Sequence, residues 1–218
     1  MKLLQRAGIC LALICLLLFP SCSQESFDAA AYVQSVVDSI YRGEHETYCK
    51  YAKIGEEEAE QAYREHLKSE SMYFANLVGL TQTDRTLYRT MAFYQRVYDA
   101  SRYEAVSAQK TEGGFDVEMK ISPLNLFTAH SDEVQSRVMA FSERVKQGEF
   151  EGRTQEEIDQ AYCDDLLGFL EGKLDDPQWD EPRTVTIHLT EEQGAYFLEE
   201  EELLTIDRNL VPYAGEEE

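Results

Sequence analysis

The sequence predicts an α+β domain: two diverged helices-plus-β-hairpin modules share a small antiparallel sheet packed by amphipathic helices. Three observations carry this. Apolar residues recur at three- and four-residue spacing over long stretches, as one face of a helix requires. That period switches to two in two separate places, around 103–121 and 185–198, each interrupted by a glycine-bearing turn. The order is then helices, hairpin, helices, hairpin, short helix, which favours an antiparallel sheet over a parallel one. With 43% apolar and 11% aromatic residues in 218, the chain can bury a core, so disorder is not the default reading.

The elements follow in order. Val33, Val36, Val37, Ile40 and Tyr41 form the stripe of a first helix, with Gly43 suited to its C-terminal cap. A short helical piece spans Glu46–Ala52. Gly55–Leu80 reads as a long helix with Ala59, Ala62, Tyr63, His66, Leu67, Phe74 and Leu77 inward. Glu56, Glu57 and Glu58 sit favourably at its positive end. Thr81-Gln82-Thr83-Asp84 resembles a cap and introduces a helix with Leu87, Met91, Tyr94, Val97 and Tyr98 inward. Tyr103–Gln109 is a strand, Gly113-Gly114 a hairpin turn, and Phe115, Val117, Met119 and Ile121 alternate up to Pro123.

Helices resume at Ser131, with Val134, Val138, Phe141 and Val145 as the stripe. Thr154 to Glu157 makes a capping box for a helix carrying Ile158, Tyr162, Leu166 and Phe169 inward. The Pro-bearing connector Asp175–Pro182 ends it. Val185, Ile187 and Leu189 alternate, Glu191–Gly194 turns the chain, Ala195–Leu198 returns, and a last helix near Glu200–Leu210 buries Leu203, Ile206 and Leu210. Residues 27–212 thus form one domain, followed by an acidic tail over 213–218.

The first 22 residues carry an address. Lys2 and Arg6 make a cationic start, and Ala7 to Phe19 follows as 13 residues without a polar side chain. Thirteen helical residues span about 20 Å, too short for a bilayer core of about 30 Å, so residues 1–21 read as a signal peptide. Its end, Phe19-Pro20-Ser21-Cys22, resembles the lipobox of bacterial lipoproteins. That resemblance implies acylation of Cys22 and cleavage before it, leaving the protein anchored on the extracytoplasmic face of the cell membrane. The family pattern places Leu and a small residue where this chain has Phe19 and Pro20. Two acyl chains, at about 0.8 kcal/mol per buried CH₂, hold a protein stably. Residues 22–26 are then the lipidated cysteine and a tether, of which Ser23–Ser26 reaches at most about 14 Å.

Cleavage would remove two cations and leave 197 residues, taking the formal charge from −22 to −24. Such a chain is no nucleic-acid binder, because phosphates would be repelled, and it has no electrostatic adhesion to anionic lipid. Its field would steer a cationic protein; a peptide or small ligand is the other partner class, in a tyrosine-lined groove suggested by Tyr88, Tyr94 and Tyr98.

Candidate chemistry is sparse. His45, His66, His130 and His188 are scattered, and none belongs to a zinc-binding HExxH. His66 falls on an apolar stripe, His188 points outward, and His130 precedes a helix. The acidic runs Glu56–Glu58, Glu199–Glu202 and Glu216–Glu218 lack the alternation of a calcium loop and read as solvated helix starts and solubility. No GxSxG elbow, SxxK or phosphate-binding glycine loop occurs. Cys163 beside Asp164 and Asp165 would be a blunted nucleophile. Cys49 and Cys163 could form one disulfide or stay as buried thiols. No catalytic residue, metal ligand or cofactor is assigned. The leading expectation is a non-enzymatic binding or interaction module, and the alternative is a carboxylate-dependent cell-envelope hydrolase whose acid pair no motif reveals.

The two halves, 27–123 and 131–212, share words. Gly43-Glu44-His45-Glu46 recurs as Gly148-Glu149-Phe150-Glu151, and Glu57–Tyr63 recurs as Glu156–Tyr162, which is expected of an internal duplication. On Tyr41-Arg42-Gly43-Glu44, Glu57–Tyr63 and the Thr184–Asp207 hairpin-plus-helix, the chain resembles small Gram-positive-type lipoproteins of unknown function with cystatin-like or nuclear-transport-factor-like modules. The resemblance spans Phe27 to Pro212 and implies an extracytoplasmic α+β protein, with no implied activity.

Overall fold

A computed structural model describes residues 27–214. Cys22, the signal segment and the end of the acidic tail lie outside them. Helix α1 (Ala29–Val37) continues as a π-helical turn (Asp38–Arg42), and α2 (Glu46–Ala52), α3 (Glu56–Val78) and α4 (Asp84–Asp99) follow. Strands β1 (Arg102–Thr111) and β2 (Gly114–Ser122) make the first hairpin. Helices α5 (Ser131–Lys146) and α6 (Gln155–Leu174) come next, then β3 (Arg183–Glu192), β4 (Ala195–Leu198) and α7 (Glu200–Leu210).

The four strands form one antiparallel sheet in the order β1-β2-β3-β4, so the two hairpins lie side by side and meet at β2 and β3. Val117, Met119, Ile121, Ile187 and Leu189 point into the core, and Glu118, Lys120, Thr184, Thr186 and His188 face solvent. Period-two patterning therefore reports a sheet covered on one face only. Helices α1 and α7 pack on it, α3 and α4 lie beyond with the π-helical turn, α6 packs on α4, and α5 on α6.

Local chemistry fixes the joints. The Asp28 side chain accepts from Ala31 N–H at 3.0 Å to start α1. Thr83 and Thr86 cap α4 reciprocally, and Thr154 and Glu157 do so for α6. Gly43, at φ +71°, leaves the π-helical turn, and its missing side chain makes room for the Tyr63 ring. At Gly114 a Cβ would come within 1.9 Å of the Leu189 carbonyl oxygen. The first hairpin therefore packs against β3 only with glycine there. At the edge, β1 bulges between Ala105 and Ser107, and Ala105 N–H donates to Gln34 Oε1 at 2.8 Å, which closes part of the free edge.

Several stripes are rotated from the sequence expectation. On α3, Leu77 is 53% exposed, while Glu70 and Ser71 are buried. On α4 the interior holds Phe93, Thr86 and Thr90 beside Tyr94, Val97 and Tyr98, and Leu87 and Met91 are only half-buried. On α6 the inward line is Cys163, Leu166, Leu167, Leu170 and Leu174; Ile158 is half-buried, and Tyr162 and Phe169 turn toward α5. The reason is that α6 lies between α4 and α5 and buries two faces. Helix α5 buries only Phe141; Val134 and Val138 are half-buried and Val145 is exposed.

Candidate functional site

Four places could host function: the start of the described chain at Phe27, the histidine sites, a buried tyrosine–carboxylate cluster, and a cleft at the end of the sheet away from the hairpin tips. At the start of the described residues, Phe27 stacks on Tyr196 with ring centres 4.1 Å apart, 5.7 Å from Phe115 and 6.3 Å from Tyr51. Rings from β4, β2 and α2 thus clamp Phe27.

The structure does not bring the four histidines together. His188 pairs with Asp116 at 2.7 Å on the open sheet face, and that carboxylate, as a hydrogen-bond acceptor, raises its pKa. His130 contacts Glu133 at 2.8 Å at the start of α5. His66 places Nε2 3.1 Å from the Tyr98 hydroxyl and stands edge-on to Tyr41. His45 contacts the Ser39 hydroxyl through Nδ1 at 2.8 Å and Glu60 through Nε2 at 3.2 Å. This Ser39–His45–Glu60 line has the composition of a hydrolytic triad. Spacings of 6 and 15 residues belong to no motif, so sequence reasoning missed it. Its surroundings oppose acyl transfer. Ser39 is 2% exposed inside the π-helical turn, where no substrate carbonyl can reach it, and Glu60 is also bonded to Arg64, the main cause of its lowered pKa. The line holds α2 between α1 and α3.

Sequence reasoning also missed three buried carboxylates, Glu70 on α3, Asp159 on α6 and Asp207 on α7. The Tyr98 hydroxyl donates to Asp207 at 3.3 Å and accepts from His66, and the Tyr94 and Tyr213 hydroxyls touch. Burial first, and then the nearby acidic groups, push the Tyr98 hydroxyl well above its ordinary pKa. Burial, then Tyr94 and Glu70, do the same at Tyr213. Glu70 lies on a helix stripe that reads as apolar, and no periodicity argument would select it. Tyr94 and Tyr98 are fully enclosed and Tyr88 is exposed, so these tyrosines line no groove. The cluster ties α4 to α7 through the Tyr98–Asp207 bond and to α3 through His66.

The cleft, about 340 Å³, is lined by Leu124, Leu126, His130, Lys173, Asp176 and Gln178 among others. It joins apolar walls to both signs of charge, at the low end of ligand-site volumes. Cys49 and Cys163 are free thiols, so the bridge is not formed. Burial pushes the Cys163 thiol up to about 11; Asp164 adds to this only after burial and after a lowering hydrogen bond to Thr90. Among the described residues no group of His, Cys, Asp or Glu could hold a metal ion, and no helix is long and apolar enough to cross a membrane.

No protein-family model matches the chain, and no curated protein matches it. Its fold is similar to a crystal structure described as a "putative lipoprotein (ycdA)" from Bacillus subtilis, with a TM-score of 0.60 and 11% identity. The match covers 84% of this chain and 55% of that one, so this chain spans about half the length of its neighbour. At that identity the likeness shows the α+β fold alone. The cystatin-like or nuclear-transport-factor-like part of the expected resemblance has no counterpart in these comparisons.

Proposed function

We propose that this chain is a lipid-anchored extracytoplasmic protein whose α+β domain works by binding rather than by catalysis. The observation that carries the reading is the Phe19-Pro20-Ser21-Cys22 sequence four residues ahead of a domain that begins folding at Phe27. A structural neighbour described in lipoprotein terms supports it. Ser39 is buried in the π-helical turn and the partly exposed Glu60 is held by Arg64, while Tyr98, Asp207 and Glu70 are enclosed, which favours binding over carboxylate-dependent hydrolysis. The strongly acidic domain would meet a cationic protein partner through its long-range field, with the cleft as a smaller site for a peptide or small ligand.

The test is Cys22→Ala in the producing cell. Wild-type protein is expected in the membrane fraction with two or three acyl chains on an N-terminal Cys22, and the variant is expected released or unprocessed. An unmodified N-terminus at another residue overturns the anchor. For the partner, full-length protein in detergent captures candidates from solubilised membranes. Their association should be faster at low ionic strength, because a field screened beyond about 8 Å at physiological salt then acts further. A salt-independent rate removes the cationic partner.

A further inference from the structure

We infer that the domain stands on the bilayer with its two hairpin tips toward the lipid headgroups and the cleft at Leu124 and Lys173 turned away. This rests on acylation of Cys22 and adds the direction that acylation alone does not supply. Phe27 is held by Tyr196 and Phe115, each the second residue of its strand after a hairpin turn. The start of the domain is therefore pinned at the tip end of the sheet. Register fixes what lies at the other end. Thr111 pairs with Gly114 at the tip and Arg102 with Ser122 far from it, while Ile121 pairs with Arg183. At about 3.4 Å per residue these ten-residue strands separate the ends by about 30 Å. Beyond the far end, Leu124 bridges to Trp179, and Leu124 lines the cleft.

The tether Ser23–Ser26 reaches at most about 14 Å, less than half that length. A domain of this size has a radius of gyration near 16 Å, so it cannot turn its far end to the membrane without pulling Phe27 out of its ring clamp. The tips themselves expose Glu112, Glu191, Glu192 and Gln193, with Lys110 beside them. Their mostly acidic character argues against adhesion to anionic lipid and for a tip face held within the tether's reach but not inserted.

The experiment uses full-length acylated protein with Cys49→Ser, carrying either Glu112→Cys at the first tip or Glu181→Cys at the far end. Both are exposed positions, and buried Cys163 stays unlabelled. Each is labelled with a donor fluorophore and reconstituted in phosphatidylcholine vesicles containing a headgroup-labelled acceptor lipid. Energy transfer is expected to be at least about twofold stronger from 112 than from 181, given their separation along the strands. A Gly/Ser insertion of about twenty residues after Ser26 should erase the difference, since such a linker spans roughly 25 Å. Flotation separates the two claims. Protein that fails to float with the vesicles overturns the anchor and the orientation together, and protein that floats with equal or reversed transfer overturns the orientation alone.

Discussion

Helices α4 and α5 have sixteen residues each and read alike as amphipathic segments, yet they live in different environments. Helix α4 buries Thr86, Thr90, Phe93, Tyr94, Val97 and Tyr98 between α3, α6 and the π-helical turn. Helix α5 buries only Phe141, rests on α6, and leaves Met139 59% exposed. The difference is one of place. A stripe of apolar residues tells a helix which side to bury, but the number of neighbours around it decides how much is buried and what that contributes. α4 is the centre of the molecule and α5 its outermost layer.

The largest expected effect breaks the comparison at one residue type. Phe93→Ala empties a site walled by Phe74, Tyr94 and Phe127, and should cost about 3–5 kcal/mol. Phe141→Ala removes contacts to Phe150 and Tyr162 at the surface of α6 and should cost about 1–2 kcal/mol. Denaturant midpoints measure both. Hydrogen exchange should show α5 amides opening alone in the Phe141 variant, and all helices opening together in the Phe93 variant. Equal costs would mean that α5 belongs to the same cooperative core as α4.

This comparison also explains what the sequence could tell. Where one face of an element is buried, period settles it: Val117, Met119 and Ile121 were legible, as were β4 and the bounds of α2 and α7. Helix α6 misleads because it buries two faces, so its Tyr162 and Phe169 point to α5 and the true core line includes Cys163 and Leu167. Buried polar groups are invisible to any hydrophobic pattern. Glu70, Asp207 and the Ser39–His45 bond are set by tertiary partners, up to 109 residues away for the Tyr98–Asp207 pair. The resemblance to a lipobox at Cys22 lies outside the described residues and needs no tertiary partner to be legible.

A smaller effect sharpens the comparison at the joints. Arg89 on α4 makes a two-pronged bond to Glu171 on α6, at 2.8 and 2.6 Å, with the side chains 28% and 21% exposed. The outer joint relies on Arg137 and Arg144 reaching Asp165 at 3.3 and 3.4 Å, with both arginines about 40% exposed. Glu171→Gln should cost about 1 kcal/mol and Asp165→Asn under about 0.5 kcal/mol. The Arg89 hydrogen bonds lower the Glu171 pKa from the usual 4.5. Its folded value is thus below its unfolded one, so the contribution is present above about pH 4.5 and lost as pH falls through the folded value. Acid titration of stability should flatten over that range in the Glu171 variant. An unchanged acid limb would show that the inner joint is held by packing alone.

The smallest effect lies off both joints, on the open sheet face. His188 and Asp116 form a cross-strand pair at 2.7 Å with side chains 62% and 43% exposed, so solvent screens most of their attraction. The Asp116 hydrogen bond raises the His188 pKa above 6.5. The folded value exceeds the unfolded one, so the stabilisation is full below about pH 6.5 and disappears as pH rises through the folded value. Asp116→Asn should return the His188 titration toward 6.5, read by its ring proton shifts, and change stability at pH 6 by under about 0.5 kcal/mol. Exchange in α4 and α5 should not move, because the pair touches neither helix. A shift in α5 exchange would mean that the sheet's outer face and the outermost helix are coupled through the core, and the layered order drawn from α4 and α5 would then fail as an account of stability.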